Sequence, residues 1–210
     1  MESESHKNYY DIVILPSPEV RDVAIALSRA INQKFGSDLV LGRRAFKPHI
    51  SLYHVVIQKK NLSEMMERLR IIAASQKKIG ALTIQRYKNQ PHLAVAKIAW
   101  LQNLHESVLK AINPLRDTTF PDAWDNGAKY GNVVRPIHRK NIKKYGSPIV
   151  GAIFDSHITL TVLNDPDDTV KAIDVISLKK YQFNPTAITV CQIGKHHSCQ
   201  KMIATIPFLV

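Results

Sequence analysis

Two short segments of the chain, FKPHISL and FDSHITL, repeat a histidine that is followed two positions later by a hydroxyl residue. The histidines are His49 and His157, and the hydroxyl residues are Ser51 and Thr159. In a β-strand, residues i and i+2 point to the same face, and the residue between them points to the other. The pattern therefore places an imidazole beside a hydroxyl on one face of each predicted strand.

An imidazole and a hydroxyl from each of two copies suit the chemistry of a phosphate ester. Hydroxyl and imidazolium groups donate hydrogen bonds to non-bridging oxygens. Because a histidine pKa is about 6.5, a neutral imidazole can take the proton of an attacking water or hydroxyl, and a protonated one can donate to the leaving oxygen. Transfer in line at phosphorus needs these two groups on opposite sides. If the copies pack about a pseudo-twofold axis, His49 and His157 meet across one groove, and no metal is required.

The alternation of side chains along a strand also sorts the polar residues near the motifs. Tyr53 is predicted to lie on the groove face, where it could stack on a base or donate a hydrogen bond to the substrate. His54 is predicted to point away from the groove, with the apolar residues. No role is assigned to His92, and His196 and His197 are expected to be solvated in a hairpin turn.

Each motif is followed by a predicted amphipathic helix. In NLSEMMERLRIIAAS, apolar residues recur at i, i+3, i+4 and i+7, with Asn61 as the expected N-cap and Glu64 completing a capping box. In DPDDTVKAIDVISLKK, Asp165 is the candidate N-cap and Pro166 suits the first helical turn.

A β-hairpin is predicted after each helix, at the same offset that relates the two motifs. The first hairpin joins 81–87 to 92–98, and the second joins 189–195 to 200–206. A strand and a helix also precede each motif. The chain therefore contains two predicted copies of one unit of motif strand, helix and hairpin.

One bilobal domain is predicted over residues 1–210, with a first repeat unit at about 9–98 and a second at about 92–210. The approach to the second motif is longer, so about 116–150 is interpreted as a basic insertion that forms a loop with some short structure. Arg135 in this insertion is predicted to grip the substrate.

The composition indicates a folded, basic protein. Of its 210 residues, 45% are hydrophobic and 22% are charged, and the net charge is +12 with a pI near 9.7. The hydrophobic fraction is sufficient for a packed core. The positive charge favours an anionic partner such as a nucleotide or RNA. No apolar run approaches the roughly 18 residues of a membrane span.

The segment Met1 to Asn8 lacks the apolar region of a secretory signal, so a cytoplasmic location is expected. Cys191 and Cys199 are too few for a disulfide framework, and reduced cysteines are expected. Their spacing would nevertheless let them face each other across a hairpin. A monomer without an obligatory protein partner is the default expectation.

The motifs HISL at 49–52 and HITL at 157–160 resemble the paired His-x-Ser/Thr-hydrophobic signature of the two-histidine (2H) phosphoesterase superfamily. The segment KKYGSPIVGAIFDSHITL also resembles the approach to the second motif in the 2′-5′ RNA ligase-like branch, which stands beside the cyclic phosphodiesterases in this superfamily. The resemblance implies an α+β, bilobal, pseudo-twofold fold, with two antiparallel sheets lining a central groove and helices outside.

For function, the resemblance implies His49 and His157 as catalytic residues, with Ser51 and Thr159 holding phosphate oxygens. It implies hydrolysis of a 2′,3′-cyclic phosphate or another 2′-linked diester of RNA ends or nucleotides, without a metal or other cofactor. Sealing a 2′-5′ bond is the reverse reaction, and the same groups can serve it.

Two other functions remain open. The first is an RNA- or nucleotide-binding module that keeps the groove and has lost turnover. The second is a metal-dependent hydrolase with His and Asp ligands such as Asp155. The sequence contains no HExxH or paired CxxC motif and no glycine-rich phosphate loop.

Overall fold

The predicted strands and helices form an α+β fold in a computed structural model, which describes residues 9–87, 90–118, 135–177 and 179–209. The strands in these ranges are Tyr9–Ile14 (β1), Ile50–Val56 (β2), Leu82–Arg86 (β3), His92–Val95 (β4), His157–Thr159 (β5), Tyr181–Phe183 (β6), Ala187–Ile193 (β7) and Cys199–Pro207 (β8). The α-helices are Pro18–Phe35 (α1), Leu62–Ala74 (α2), Ala99–Ile112 (α3), Pro136–Tyr145 (α4) and Thr169–Asp174 (α5).

The strands form two four-stranded antiparallel sheets, which confirms the predicted sheet architecture. One sheet has the order β2-β1-β7-β8, and the other has the order β5-β4-β3-β6. The β3–β4 and β7–β8 hairpins form where the sequence predicts them. Each hairpin lies in the sheet of the other unit's motif strand, so the two repeat units exchange strands.

A single hydrophobic cluster includes residues from both sheets and from the helices that cover them. It contains Ile12 of β1, Ile84 of β3, Val20 of α1, Leu69 of α2 and Leu104 of α3. The motif strands β2 and β5 are edge strands of their sheets and lie beside each other. The groove predicted from the motifs is therefore located where these two edges meet.

The helix starts follow the sequence in part. Ser17 caps α1, because its Oγ accepts from the Val20 amide at 3.4 Å and Pro18 occupies the first turn. The predicted capping box at Asn61 does not form: its side-chain amide donates to the Leu115 carbonyl instead.

Over the described residues, none of the helices combines the length and the apolar character needed to cross a membrane.

The basic insertion is more regular than predicted. Its second part forms α4, which begins at Pro136 and ends at Gly146 in a left-handed conformation with φ of 70°. Asn141 anchors this helix, because its amide donates to the carbonyls of Pro148 and Val150, each at 3.1 Å. Residues 119–134 lie outside the described ranges, so the prediction for them stays a prediction.

Strands β7 and β8 are cross-linked by a disulfide between Cys191 and Cys199, whose Cα atoms are 5.4 Å apart. The expectation of reduced cysteines is therefore wrong. Two shifts of register in the hairpin bring the residues onto one face, where both are fully buried.

Reduction of this disulfide should lower the free energy of unfolding. The linked residues are eight positions apart, a loop length for which chain entropy gives about 2–3 kcal/mol. In a chain of this size, the expected fall in Tm is about 5–10 °C. Thermal unfolding followed by circular dichroism, with and without a phosphine reductant, measures the change. The Tm of the Cys191→Ala/Cys199→Ala variant should be the same with and without the reductant. Two free thiols in the denatured, unreduced protein would show that the bridge is absent.

Candidate active site

The two motif histidines stand at the start of the edge strands. His49 directly precedes β2, and His157 is the first residue of β5. Nδ1 of His49 donates to the Lys47 carbonyl at 2.7 Å, and Nδ1 of His157 donates to the Asp155 carbonyl at 2.8 Å. Because each imidazole is tied to the backbone through Nδ1, Nε2 is the nitrogen that can exchange a proton with a substrate.

A β-bulge in β2 changes which side chains share the face of His49. Successive residues of β1 pair with Tyr53 and Ser51, so Leu52 is the extra residue of the bulge. The bulge interrupts the alternation after Ser51. Leu52 and Tyr53 are consequently both buried, and His54 comes to the side of Ser51.

The bulge overturns two predictions. Tyr53 is not on the groove face: its side chain is 1% exposed, and its hydroxyl donates to the Tyr145 carbonyl at 2.6 Å and lies 3.0 Å from Asn113 Oδ1. It links β2 to Asn113, which follows α3, and to the last residue of α4. This position does not fit the predicted contact with the substrate. His54, predicted to point away, contacts the same carboxylate oxygen of Asp11 as His49 does.

A buried histidine supports the bulge. His105 of α3 donates from Nδ1 to the Leu52 carbonyl at 2.7 Å, and its Nε2 accepts from the Gly151 amide at 2.8 Å. Burial lowers the pKa of His105, which keeps the ring neutral for this pair of bonds. His105 thereby connects the bulge of the first motif to the approach to the second.

One carboxylate oxygen contacts the polar side chains of the first motif. Oδ2 of Asp11, in the middle of β1, accepts from Ser51 Oγ at 2.6 Å and from His54 Nε2 at 2.9 Å, and it lies 3.3 Å from His49 Nε2. The Asp11 side chain is 0% exposed. Asp11 was not predicted to belong to the site, although an acid inside an otherwise apolar strand indicates a paired, buried carboxylate.

Asp11 is ionised at neutral pH. Burial raises the pKa of Asp11. The charge of His54 and the hydrogen bonds from His49 and His54 lower it by more than burial raises it, so the pKa is about 2. Since this value lies below the ordinary 3.8, the ionised carboxylate stabilises the folded state above about pH 4. That contribution is lost as the pH falls through about 2.

The pKa values of the two motif histidines are displaced in opposite directions. Burial lowers the pKa of His49, but the hydrogen bond and charge of Asp11 outweigh it, so the pKa is raised above 6.5. Burial also lowers the pKa of His157, the Asp155 carbonyl opposes this in part, and the charges of His49 and His54 lower it further. At a given pH, His49 is therefore protonated to a greater extent than His157.

Aromatic rings surround His157. His92 stacks on it, with ring centres 4.5 Å apart and an angle of 4°, and Tyr87 meets its edge at 6.2 Å. The Tyr87 hydroxyl donates to the Asp155 carboxylate. Burial beside His157 lowers the pKa of His92 to about 3. The sequence analysis missed His92, although the predicted hairpin puts it on the strand that pairs with β5, opposite Thr159.

The β7–β8 turn adds an imidazole to the first motif. His197 stacks on His54 at 5.8 Å and 22°, and Tyr9 meets both rings edge-on. His196 lies 3.8 Å from Asp38. Both turn histidines are half-buried, so the prediction that they are solvated is wrong. Their left-handed backbones, with φ of 58° and 54°, turn the hairpin end across β1 toward β2.

Arg135 is exposed at the N-terminus of α4. Its predicted contact with the substrate stays a prediction. Within the ranges that the structure describes, His, Cys, Asp and Glu side chains form no group of three or more that could hold a metal ion.

Solved structures that are similar to this chain include one at low sequence identity. A solved structure of Usb1 from Kluyveromyces marxianus aligns with 96% of this chain and 99% of its own, at 14% sequence identity and a TM-score of 0.42. No protein-family model matches the chain, and no curated protein matches it in sequence.

The buried position of Tyr53 predicts a structural effect of Tyr53→Phe. Loss of the hydroxyl should lower the free energy of unfolding by about 1–2 kcal/mol, because the partly buried oxygens of Tyr145 and Asn113 lose their hydrogen-bond contact with it. Urea unfolding measures this change. Titration of the His49 and His157 imidazoles by NMR should give the wild-type curves. If Tyr53→Phe had normal stability but bound nucleotide monophosphates more weakly, Tyr53 would be a substrate-binding residue and the structural role would be contradicted.

Proposed function

We propose that the protein is a phosphodiesterase of the 2H type, which hydrolyses 2′,3′-cyclic phosphates or other 2′-linked diesters of RNA ends or nucleotides without a metal or other cofactor. The observation that carries this proposal is the pair of motif imidazoles. Each imidazole donates a hydrogen bond from Nδ1 to a backbone carbonyl, yet the pKa of His49 is raised and the pKa of His157 is lowered. Divergent pKa values in one site are the usual mark of an acid and a base.

In this proposal, His157 is the general base. Its Nε2 takes a proton from water, and the water oxygen bonds to phosphorus as the bond to the 2′ or 3′ oxygen breaks. His49 is the general acid, whose Nε2 proton passes to that leaving oxygen. The products are a phosphate monoester and a free hydroxyl, and proton exchange with solvent restores His49 and His157.

Asp11 is proposed as a positioning residue for the acid. Its carboxylate favours the imidazolium form of His49. The separation of 3.3 Å exceeds the 2.7–2.9 Å of a strong charge-assisted hydrogen bond, so the proton is not committed to Asp11. The second half has no described carboxylate at this distance from His157 Nε2, which suits a base.

The hydroxyls of the motifs are proposed to hold phosphate oxygens. Thr159 is half-buried beside His157 and donates directly. Ser51 donates to Asp11 in the absence of substrate, so it must turn its hydroxyl to reach a phosphate. The net charge of +12 supports an anionic substrate, and Arg135 is proposed to add attraction from the insertion.

Ligation of a 2′-5′ bond by the reverse reaction and a monomeric state without an obligatory protein partner complete the proposal. The cytoplasmic location expected from the sequence stays a prediction, and the buried disulfide argues against it, because reducing compartments rarely preserve such bonds.

Turnover of a 2′,3′-cyclic nucleotide in the presence of EDTA tests the proposal. Wild-type protein should release a phosphate monoester, and His49→Ala and His157→Ala should each reduce kcat/KM by about 10²–10⁴-fold, since each removes one proton-transfer group. Mass spectrometry of the products measures the reaction, and His138→Ala serves as the control histidine.

Three outcomes would contradict the proposal in different ways. Turnover that persists in the double variant would exclude the two histidines. Activity that EDTA abolishes and a divalent ion restores would favour a metal-dependent hydrolase. Tight, salt-sensitive RNA binding without product would favour a binding module.

Asp11→Asn tests the division of roles. Asp11→Asn removes the carboxylate whose hydrogen bond and negative charge contribute most to raising the pKa of His49. The pKa of His49 should therefore fall, and the imidazolium should lose its proton at a lower pH. The basic limb of the pH profile of kcat/KM should therefore move to lower pH, while the acidic limb, set by His157, keeps its place or moves to higher pH. A general loss of stability would lower kcat/KM at every pH and would not move one limb of the profile relative to the other. A shift of the acidic limb alone, to lower pH, would reverse the roles of the two histidines.

A further inference from the structure

The two motif copies differ at the phenylalanine that precedes each histidine. Phe154 is buried, 7% exposed, and its ring stacks on His105 with centres 3.9 Å apart. Its counterpart Phe46 is only half-buried and lines an open cavity of about 720 Å³. Packing explains the ring in the second copy and does not explain it in the first.

The cavity lies between one face of α1 and the segment that leads into the first motif. Asp22 and Arg29 lie on the helix side, and Arg43, Arg44 and Phe46 lie on the segment side. Three arginines against one aspartate give the cavity a positive charge. Asp22 is already paired with Arg43, whose Nη2 is 2.8 Å from its carboxylate.

The wall that carries Phe46 has a defined conformation. The Gly42 amide donates to the Phe46 carbonyl at 3.2 Å, and a Cβ at Gly42 would stand 2.9 Å from the Ala45 carbonyl oxygen, which accounts for the glycine. At its other end the wall is held by Lys47, whose amide donates to the Cys199 carbonyl at 3.2 Å.

Phe46 itself has a φ of 51°. A bulky residue in the left-handed region is strained by about 1–3 kcal/mol, and such strain is concentrated at functional sites. His49 follows three residues later, so the Cα atoms of Phe46 and His49 are at most about 11 Å apart. Phe46 thus lies close to a motif histidine along the chain and lines the same cavity as Arg29, Arg43 and Arg44. An aromatic ring and several cations beside one another are the components of a single-stranded RNA site.

We propose that this cavity is a subsite for single-stranded RNA, in which Phe46 stacks on a base next to the reacting phosphate and Arg29 and Arg44 contact backbone phosphates. The position of the reacting phosphate rests on the proposed function. The subsite would make the substrate an RNA chain end instead of a free mononucleotide.

Fluorescence anisotropy with a labelled five-nucleotide 2′-O-methyl RNA tests the subsite without turnover. Phe46→Leu should weaken binding roughly 5- to 100-fold, the effect of losing one stacked base, and Phe46→Tyr should restore most of the affinity. Arg29→Gln and Arg44→Gln should each reduce the slope of log Kd against log salt by about 0.7. The control is Arg70→Gln, whose side chain is 61% exposed on α2 and pairs with Glu67.

The outcomes separate this inference from the proposed function. Wild-type affinity in Phe46→Leu, or equal losses in Phe46→Leu and Phe46→Tyr, would overturn the stacking role. Unchanged salt slopes in both arginine variants would overturn the phosphate contacts. RNA binding that depends on Phe46, in a protein that hydrolyses neither a cyclic nucleotide nor an RNA with a cyclic phosphate end, would sustain the subsite and refute the enzyme.

Discussion

The buried carboxylate of Asp11 is the charge around which the first half of the site is arranged. An ionised carboxylate in the interior costs several kcal/mol unless donors compensate it. Here the donors are Ser51, His54 and, at a longer distance, His49. The groups that stabilise the buried charge are thus the groups proposed to meet the substrate. Folding stability and the protonation of His49 are consequently linked through one oxygen atom.

The geometry that allows this arrangement depends on the bulge in β2. Without the extra residue Leu52, strict alternation would keep His54 away from Asp11 and would expose Tyr53 to the groove. His105 accounts for the bulge, because it satisfies the Leu52 carbonyl and at the same time holds Gly151 ahead of the second motif. One neutral, buried imidazole therefore sets the position of both motif strands.

The sequence was sufficient to predict the two hairpins and the pairing of each motif histidine with a hydroxyl, because these follow from periodicity and internal repetition. The two antiparallel sheets were implied by the resemblance of the motifs to the 2H phosphoesterases. The sequence was insufficient at Tyr53 and His54, since a bulge reverses the faces of a strand and leaves no local signal. Asp11, His92 and His197 were missed for a different reason. The contacts of His92 and His197 depend on the exchange of strands between the repeat units. The contacts of Asp11 depend on how β1 pairs with β2 within the first unit, which no motif indicates.

The two halves share a backbone plan but differ in their electrostatics. A carboxylate faces His49, whereas neutral aromatic rings, His92 and Tyr87, pack on His157. The central claim is that this difference divides one pair of equivalent histidines into an acid and a base. NMR titration of the assigned imidazoles tests it most directly: we expect a pKa above 6.5 for His49 and below 6.5 for His157. Equal values, or the opposite order, would contradict the claim.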